Sequence, residues 1–298
     1  MTIRYEDIGQ RLRAYRLGKS LTAEQVAERL GVSRAAIFRI EKGEVVKIET
    51  LERLAELLDV SVPSLLGVGV EYFGNAVAYF ERMRQIEAEA VEVIAHFEPV
   101  SYLLTSDAYP HHLRTMLREA IPDTARTPDV EAEIDAIMDI LTERKATAAR
   151  RRLGIVSLIG AAEIERFLRI GLVGRFDLPP EVHLQRRRAA AEEVEHIAAL
   201  MEREPIGVQI GVVEEPMPNQ TFQIFRQADA TWLGVSPFRL GEQPNIRTGV
   251  AMVTAAPEAV ELYQRMVDGL WRRAHKGREG AVFLRRLVQR ASAARVAV

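Results

Sequence analysis

Hydrophobic positions near the start of the chain recur at helical spacing in short blocks, each closed by a residue that stops a helix. Val26, Ala27 and Leu30 stand at i, i+1 and i+4, which puts them on one face of a first helix. Gly31 comes next, where reversal of the chain needs a left-handed backbone that is cheap only without a Cβ. Val32 is expected to plug this turn against the core. Ser33 is placed to cap a second helix with Ile37 and Ile40 on its inward face. Thr22 can cap the first helix and Gly43 can end the second. From Thr22 to Gly43 the pattern is therefore two short helices joined by a tight turn.

The same periodicity extends to the flanks. A helix is expected over Ile8–Leu17, another over Ile48–Leu58, and a short one after Ser61 with Pro63 in its first turn. Gly67 and Gly69 then mark a boundary. From Val70 to Phe97, residues such as Ala76, Phe80, Met83, Ile86 and Ala90 recur at three- and four-residue steps. They predict one continuous helix, either connecting and dimerising or packed on the second domain. Beyond Pro99, extended runs are expected at Val100–Leu104, Leu153–Ile159, Gly207–Val213, Thr221–Phe225, Thr231–Val235 and Gly249–Thr254. Helices are expected at Pro110–Ala120, Asp129–Arg151, Ala161–Ile170, Pro180–Arg203, Pro257–Ala274 and Gly280–Arg295. The predicted fold is an all-α five-helix unit at 1–66, a connecting or dimerising helix at 67–98, and an α/β domain with a mixed sheet at 99–298.

At about 100° per residue, Arg34, Ala35, Phe38, Arg39 and Lys42 fall on the arc of the second helix opposite Ile37 and Ile40. That arc is a candidate DNA-reading surface. Small Ala35 permits close approach to the floor of the major groove. Arg34 and Arg39 can each give two parallel hydrogen bonds to guanine, and Phe38 can touch a thymine methyl. Lys42, with Thr22 and Lys47, is suited to phosphate.

Over Ile8 to Leu66 the chain resembles the XRE, or lambda-repressor-like, helix-turn-helix family. The resemblance implies a five-helix DNA-binding fold and an ion pair between Arg16 in the first helix and Glu41 late in the recognition helix. It departs from the family at Ala23, where Gln often bridges phosphate and a recognition-helix side chain. The segments between Gly154 and Phe238 weakly resemble the effector-type domain joined to such heads in many bacterial regulators. They also resemble, as weakly, a phospholipase-D-like sheet domain without its catalytic motif.

Charge sharpens this picture. The chain of 298 residues carries a net charge of −2. Residues 1–43 nevertheless hold nine Lys or Arg against five Asp or Glu, whereas 44–59 hold two against five. There is no cysteine, which excludes disulfides, thiol catalysis and thiolate metal sites. No apolar signal segment opens the chain, and no apolar run approaches the ~18 residues of a membrane span, so a cytoplasmic location is expected.

Catalytic patterns are weak. The paired His of a zinc protease, a nucleophile elbow and dinucleotide glycine spacing are missing, and the chain lacks the Ala-Gly and Cys-Gly bonds of self-cleaving repressors. Glu192 and His196 share a helical face but read as a surface contact. The arginines at 150–152 and 186–188 read as solvated helix segments, with phosphate or an anionic effector as the alternative. Trp232, Phe238, Arg239 and Arg247 could line a small-molecule pocket, the core being the competing place for the aromatics.

The expected protein is a non-enzymatic, sequence-specific transcriptional regulator, a repressor by preference, binding double-stranded DNA. It would bind a palindromic operator as a homodimer through Ser33–Lys42, with no cofactor or metal and with room for a small-molecule effector. A DNA-targeted enzyme acting on a nucleotide or phosphodiester and an antitoxin-like interaction module are the alternatives.

Overall fold

The computed structural model describes residues 4–45 and 47–296; the outermost residues of the expected first and last units, 1–3 and 297–298, lie outside it. The chain begins with five helices, α1 Tyr5–Gly18, α2 Ala23–Leu30, α3 Arg34–Glu41, α4 Ile48–Leu58 and α5 Val62–Leu66. Their limits reflect local chemistry. The Ser33 and Ser61 hydroxyls accept from the amides of Ala36 and Ser64, Pro63 sits in the first turn of α5, and Gly31 and Gly67 end α2 and α5 at φ 68° and 69°. Ile8, Leu12, Val26, Leu30, Ile37, Leu54 and Leu58 are buried.

The body, from residue 70 onward, holds an eight-stranded sheet. Its elements run β1 Val70–Phe73, α6 Ala76–Glu89, β2 Glu92–His96, α7 Tyr109–Glu119, α8 Pro128–Arg151, β3 Gly154–Gly160, α9 Ala161–Ile170 and α10 Pro180–Arg203. Then come β4 Val208–Val213, β5 Thr221–Arg226, β6 Thr231–Ser236, β7 Ala251–Thr254, α11 Pro257–Arg273, β8 His275–Lys276 and α12 Gly277–Val296. The spatial order is β1-β7-β6-β5-β2-β3-β4-β8. Strands β2, β3 and β4 are parallel, as helical crossovers require, and the other pairs are antiparallel. Alternate residues such as Ile94, Leu158, Phe222, Ile224 and Leu233 pack with Val267 and Leu270 of α11. The residues between them, including Val93, Ala95, Ile155 and Phe225, belong to a larger core that runs without a break into the five-helix head.

Three expectations are corrected. The stretch 70–97 is not one helix but strand, helix, strand. Asn75 caps α6 afresh by accepting from the Ala78 amide, Ala90 leaves the helix with ψ 146°, and the β-branched Val91, Val93 and Ile94 then favour extended backbone. α6 itself is buried along most of its length, from Ala76 to Glu87. Over 100–104 the chain closes a single 3₁₀ turn, Tyr102–Leu104, because the amide and the hydroxyl of Thr105 both donate to the Tyr102 carbonyl. Val32 keeps 38% of its surface exposed, since the turn is held by its own amide bonding the Ala27 carbonyl at 2.9 Å.

Head and body are clamped together. Tyr15 of α1 stacks on Phe73 of β1 with centroids 4.9 Å apart, and Asn75 Nδ2 donates to the Gly18 carbonyl at 3.0 Å. Between them Glu71 lies 2.6 Å from Arg11 Nε and 2.8 Å from Arg82 Nε, and all three side chains are at most 3% exposed. Among the described residues no helix is long and apolar enough to cross a membrane.

Candidate nucleic-acid interface

Helix α3 is positioned from both ends. At its start Ser33 Oγ accepts from the Ala36 amide at 3.1 Å. At its end Glu41 receives Arg16 in two hydrogen bonds, Nε to Oε1 at 2.6 Å and Nη2 to Oε2 at 3.2 Å, while Arg16 Nη1 donates to the Leu21 carbonyl at 2.8 Å. One guanidinium thereby ties α3 to α1 and to the loop before α2. Gly9 lets α1 come this close, because a Cβ there would stand 2.4 Å from the Ile40 carbonyl oxygen.

With Ile37 and Ile40 buried, the arc of Arg34, Ala35, Phe38, Arg39 and Lys42 is exposed as one surface. The Arg34 guanidinium lies over the Phe38 ring at 5.2 Å, a cation–π contact that keeps the long side chain extended along the helix. Arg39 Nε pairs with Glu44 Oε2 at 3.1 Å, with both groups more than half exposed. Such a pair is worth little in water and is easily exchanged for another acceptor.

Thr22 and Lys47 stand exposed at the N-caps of α2 and α4. Helix starts of this kind present unpaired amides and the positive end of the helix dipole. Thr22 Oγ1 accepts from the Gln25 amide at 3.1 Å while Gln25 Oε1 receives the Thr22 amide at 2.8 Å. The capping box uses the hydroxyl oxygen as acceptor, and among the described residues the hydroxyl donates to no partner.

The body reaches this surface as well. Arg34, Phe38, Thr22 and Glu24 border a groove of about 630 Å³ whose far wall is α8, with Ala132, Glu133 and Ala136. Burial raises the Glu133 carboxyl above the usual carboxylate range, against the pull of Arg247. Nothing in the local sequence signals that α8, ninety residues downstream, would border α3.

Other candidates disperse. Trp232 lies at the junction of head and body, whereas Phe238 is fully buried, Arg239 Nε bonds the Gln243 carbonyl, and Arg247 faces Glu133 at 3.9 Å. They do not form one pocket. His196 Nε2 meets the Leu104 carbonyl at 3.1 Å. Arg11 was missed, although at positions 8, 11, 12 and 15 it shares the stripe that buries α1.

The five helices and the exposed, doubly anchored α3 define a helix-turn-helix protein with an α/β body. A family model described as helix-turn-helix matches residues 12–65. Over 63 residues the chain is 43% identical to the HTH-type transcriptional repressor RghR of Bacillus subtilis (strain 168), covering 20% of this chain and 47% of that protein. Over 80 residues it is 34% identical to the HTH-type transcriptional regulator SinR of the same organism, covering 26% of this chain and 72% of SinR. The chain thus spans about half the length of RghR and nearly three quarters of SinR. It belongs to the XRE-type helix-turn-helix family.

Proposed function

We propose that this protein is a sequence-specific DNA-binding regulator of transcription that represses by occupying an operator. The observation that carries this reading is the exposed arc of α3, held at a fixed inclination by the Arg16–Glu41 pair. In this reading α3 lies in the major groove. Arg34 and Arg39 contact guanine edges, Ala35 admits the groove floor, and Phe38 meets a thymine methyl. Lys42, Thr22 and Lys47 hold the flanking phosphates and set the register. Arg39 exchanges Glu44 for the base. The description of RghR as a repressor and of SinR as a regulator supports the same class.

One head contacts about half a site, so two heads related by a dyad are needed for an affinity that stands out against random DNA. We therefore assign a homodimer and a palindromic operator with half-sites one helical turn apart. Selection of genomic fragments by the full-length protein at near-physiological salt, beside an Arg34→Ala/Arg39→Ala variant, tests this. Enrichment of a palindrome by the native protein alone supports the reading; equal recovery of random fragments by both proteins overturns it.

A further inference from the structure

A second cleft, of about 830 Å³, opens at the seam between head and body, on the side of α1 that carries Arg11. Its volume falls within the roughly 300–1,000 Å³ of small-molecule sites. Its floor holds an unbalanced charge. Arg11 and Arg82, 3% and 2% exposed, share one carboxylate, Glu71; among the described residues no other acid lies within 4 Å of either guanidinium. Two cations on one anion leave a net positive charge out of water, an arrangement that favours a further anion. Donors for it are present. Among the described residues Arg11 Nη1 and Nη2 make no hydrogen bond, and Arg82 Nη1 has only Gln10 Oε1 at the long distance of 3.5 Å.

The indole of Trp232 forms the adjoining wall, with Arg11 Cζ 5.8 Å and Arg82 Cζ 5.1 Å from its ring. Its orientation is fixed, because Nε1 donates to Gln227 Oε1 and Gln227 Nε2 donates to the Ile86 carbonyl. Ile86, Leu66 and Val260 add apolar surface. The mouth is acidic. Asp7, Glu89 and Asp229 surround Arg4 at 3.4, 3.9 and 3.6 Å, leaving excess negative charge there. A negative rim around a positive floor admits a singly charged head group and disfavours polyphosphates.

We propose that this cleft is a ligand site for a small organic monocarboxylate with an apolar body, its carboxylate held by Arg11 and Arg82 and its body lying along Trp232 and Ile86. Arg11 belongs to the head and Arg82 and Trp232 to the body, so an occupant joins the two units. That regulatory consequence rests on the DNA-binding reading, whereas the site itself is tested without DNA.

The probe is cyclohexanecarboxylate, compared with its neutral isostere cyclohexanecarboxamide. Both are titrated into full-length Trp271→Phe protein, where Trp232 is the remaining indole, and followed by its emission. Saturable binding of the carboxylate, about tenfold or more tighter than the amide, is expected. Arg82→Gln should erase that preference. Because this change also disturbs the buried triad, Ala230→Trp is the second variant. Ala230 is half-buried on the cleft wall, and the added ring should abolish binding while the thermal transition stays in place. Failure of the carboxylate to saturate, equal affinity for the amide, or undiminished binding in folded Ala230→Trp protein would each overturn the proposal.

Discussion

Arg39 and Lys42 lie one turn apart on the same exposed arc, yet different tasks are expected of them. A bidentate contact from Arg39 to a base is worth about 1–3 kcal/mol, so Arg39→Ala should lower specific affinity by that amount and relax the requirement at one base position. Lys42→Ala should instead weaken binding to all sequences and reduce the slope of affinity against salt. Fluorescence anisotropy on operator and scrambled duplexes at several salt concentrations separates the two. Their exposure was legible in the sequence, because burial of Ile37 and Ile40 on a short amphipathic helix turns the opposite arc outward. The partners of Arg34 and Arg39 were not, since cation–π stacking on Phe38 and pairing with Glu44 depend on rotamers.

Among the elements, helices whose ends carry their own chemistry were readable almost to the residue. α9 and α10 occupy the expected spans, and α4 ends at Leu58 as its spacing implied. The departure from one helix at 70–97 has a local cause: apolar residues fall at both two- and three-residue steps around Val91–Ile94, and Asn75 caps a new helix of its own. Strand β8 was invisible for another reason. Its two residues pair with Gly211 and Val212 at a sheet edge, and no periodicity fits in so short a piece.

That edge is pinned by His275. Its Nε2 meets Glu214 at 2.7 Å and its Nδ1 meets Glu279 at 2.9 Å, and these hydrogen bonds raise its pKa above 6.5. A raised folded-state value makes this contribution full at pH below the unfolded value and lost as pH rises through the folded one. Protection factors for the β4–β8 amides, corrected for intrinsic exchange, should therefore fall on the alkaline side of the histidine range. His275→Gln should remove that dependence. A pH-independent edge in the native protein would contradict this account.

For the whole molecule, the continuous core and the Arg11–Glu71–Arg82 triad make head and body one cooperative unit, so calorimetry should show a single transition. Burial acts to raise the Glu71 pKa, but the charges of Arg82 and Arg11 outweigh it and hold the carboxyl below its usual range. Its stabilisation is thus present above the unfolded value of 4.5 and is lost as pH falls through the lower, folded value. Glu71→Gln leaves both guanidiniums buried without a counter-charge, at a cost of about 3–5 kcal/mol, and should flatten the acid slope of the melting temperature. The same packing places Glu133 across the groove from Arg34, where a duplex would feel its charge. Glu133→Gln should tighten binding to every sequence by roughly two- to fivefold at low salt.

The expected division at 66 rests on Gly67 and Gly69, and in the structure Gly67 ends α5 in the left-handed region at φ 69°. What no linear pattern conveys is that α1 finds its partners in β1 and α6. Tyr15 needs Phe73, the Gly18 carbonyl needs Asn75, and Arg11 needs Glu71. A chimera built by grafting residues 1–66 onto another regulator would carry a severed triad and a bare aromatic face. Extending the graft through β1 and α6 would only move the wound, because β1 pairs with β7 and α6 carries Glu87 buried against Arg144 of α8, so in recombination, natural or in the laboratory, head and body travel as one piece.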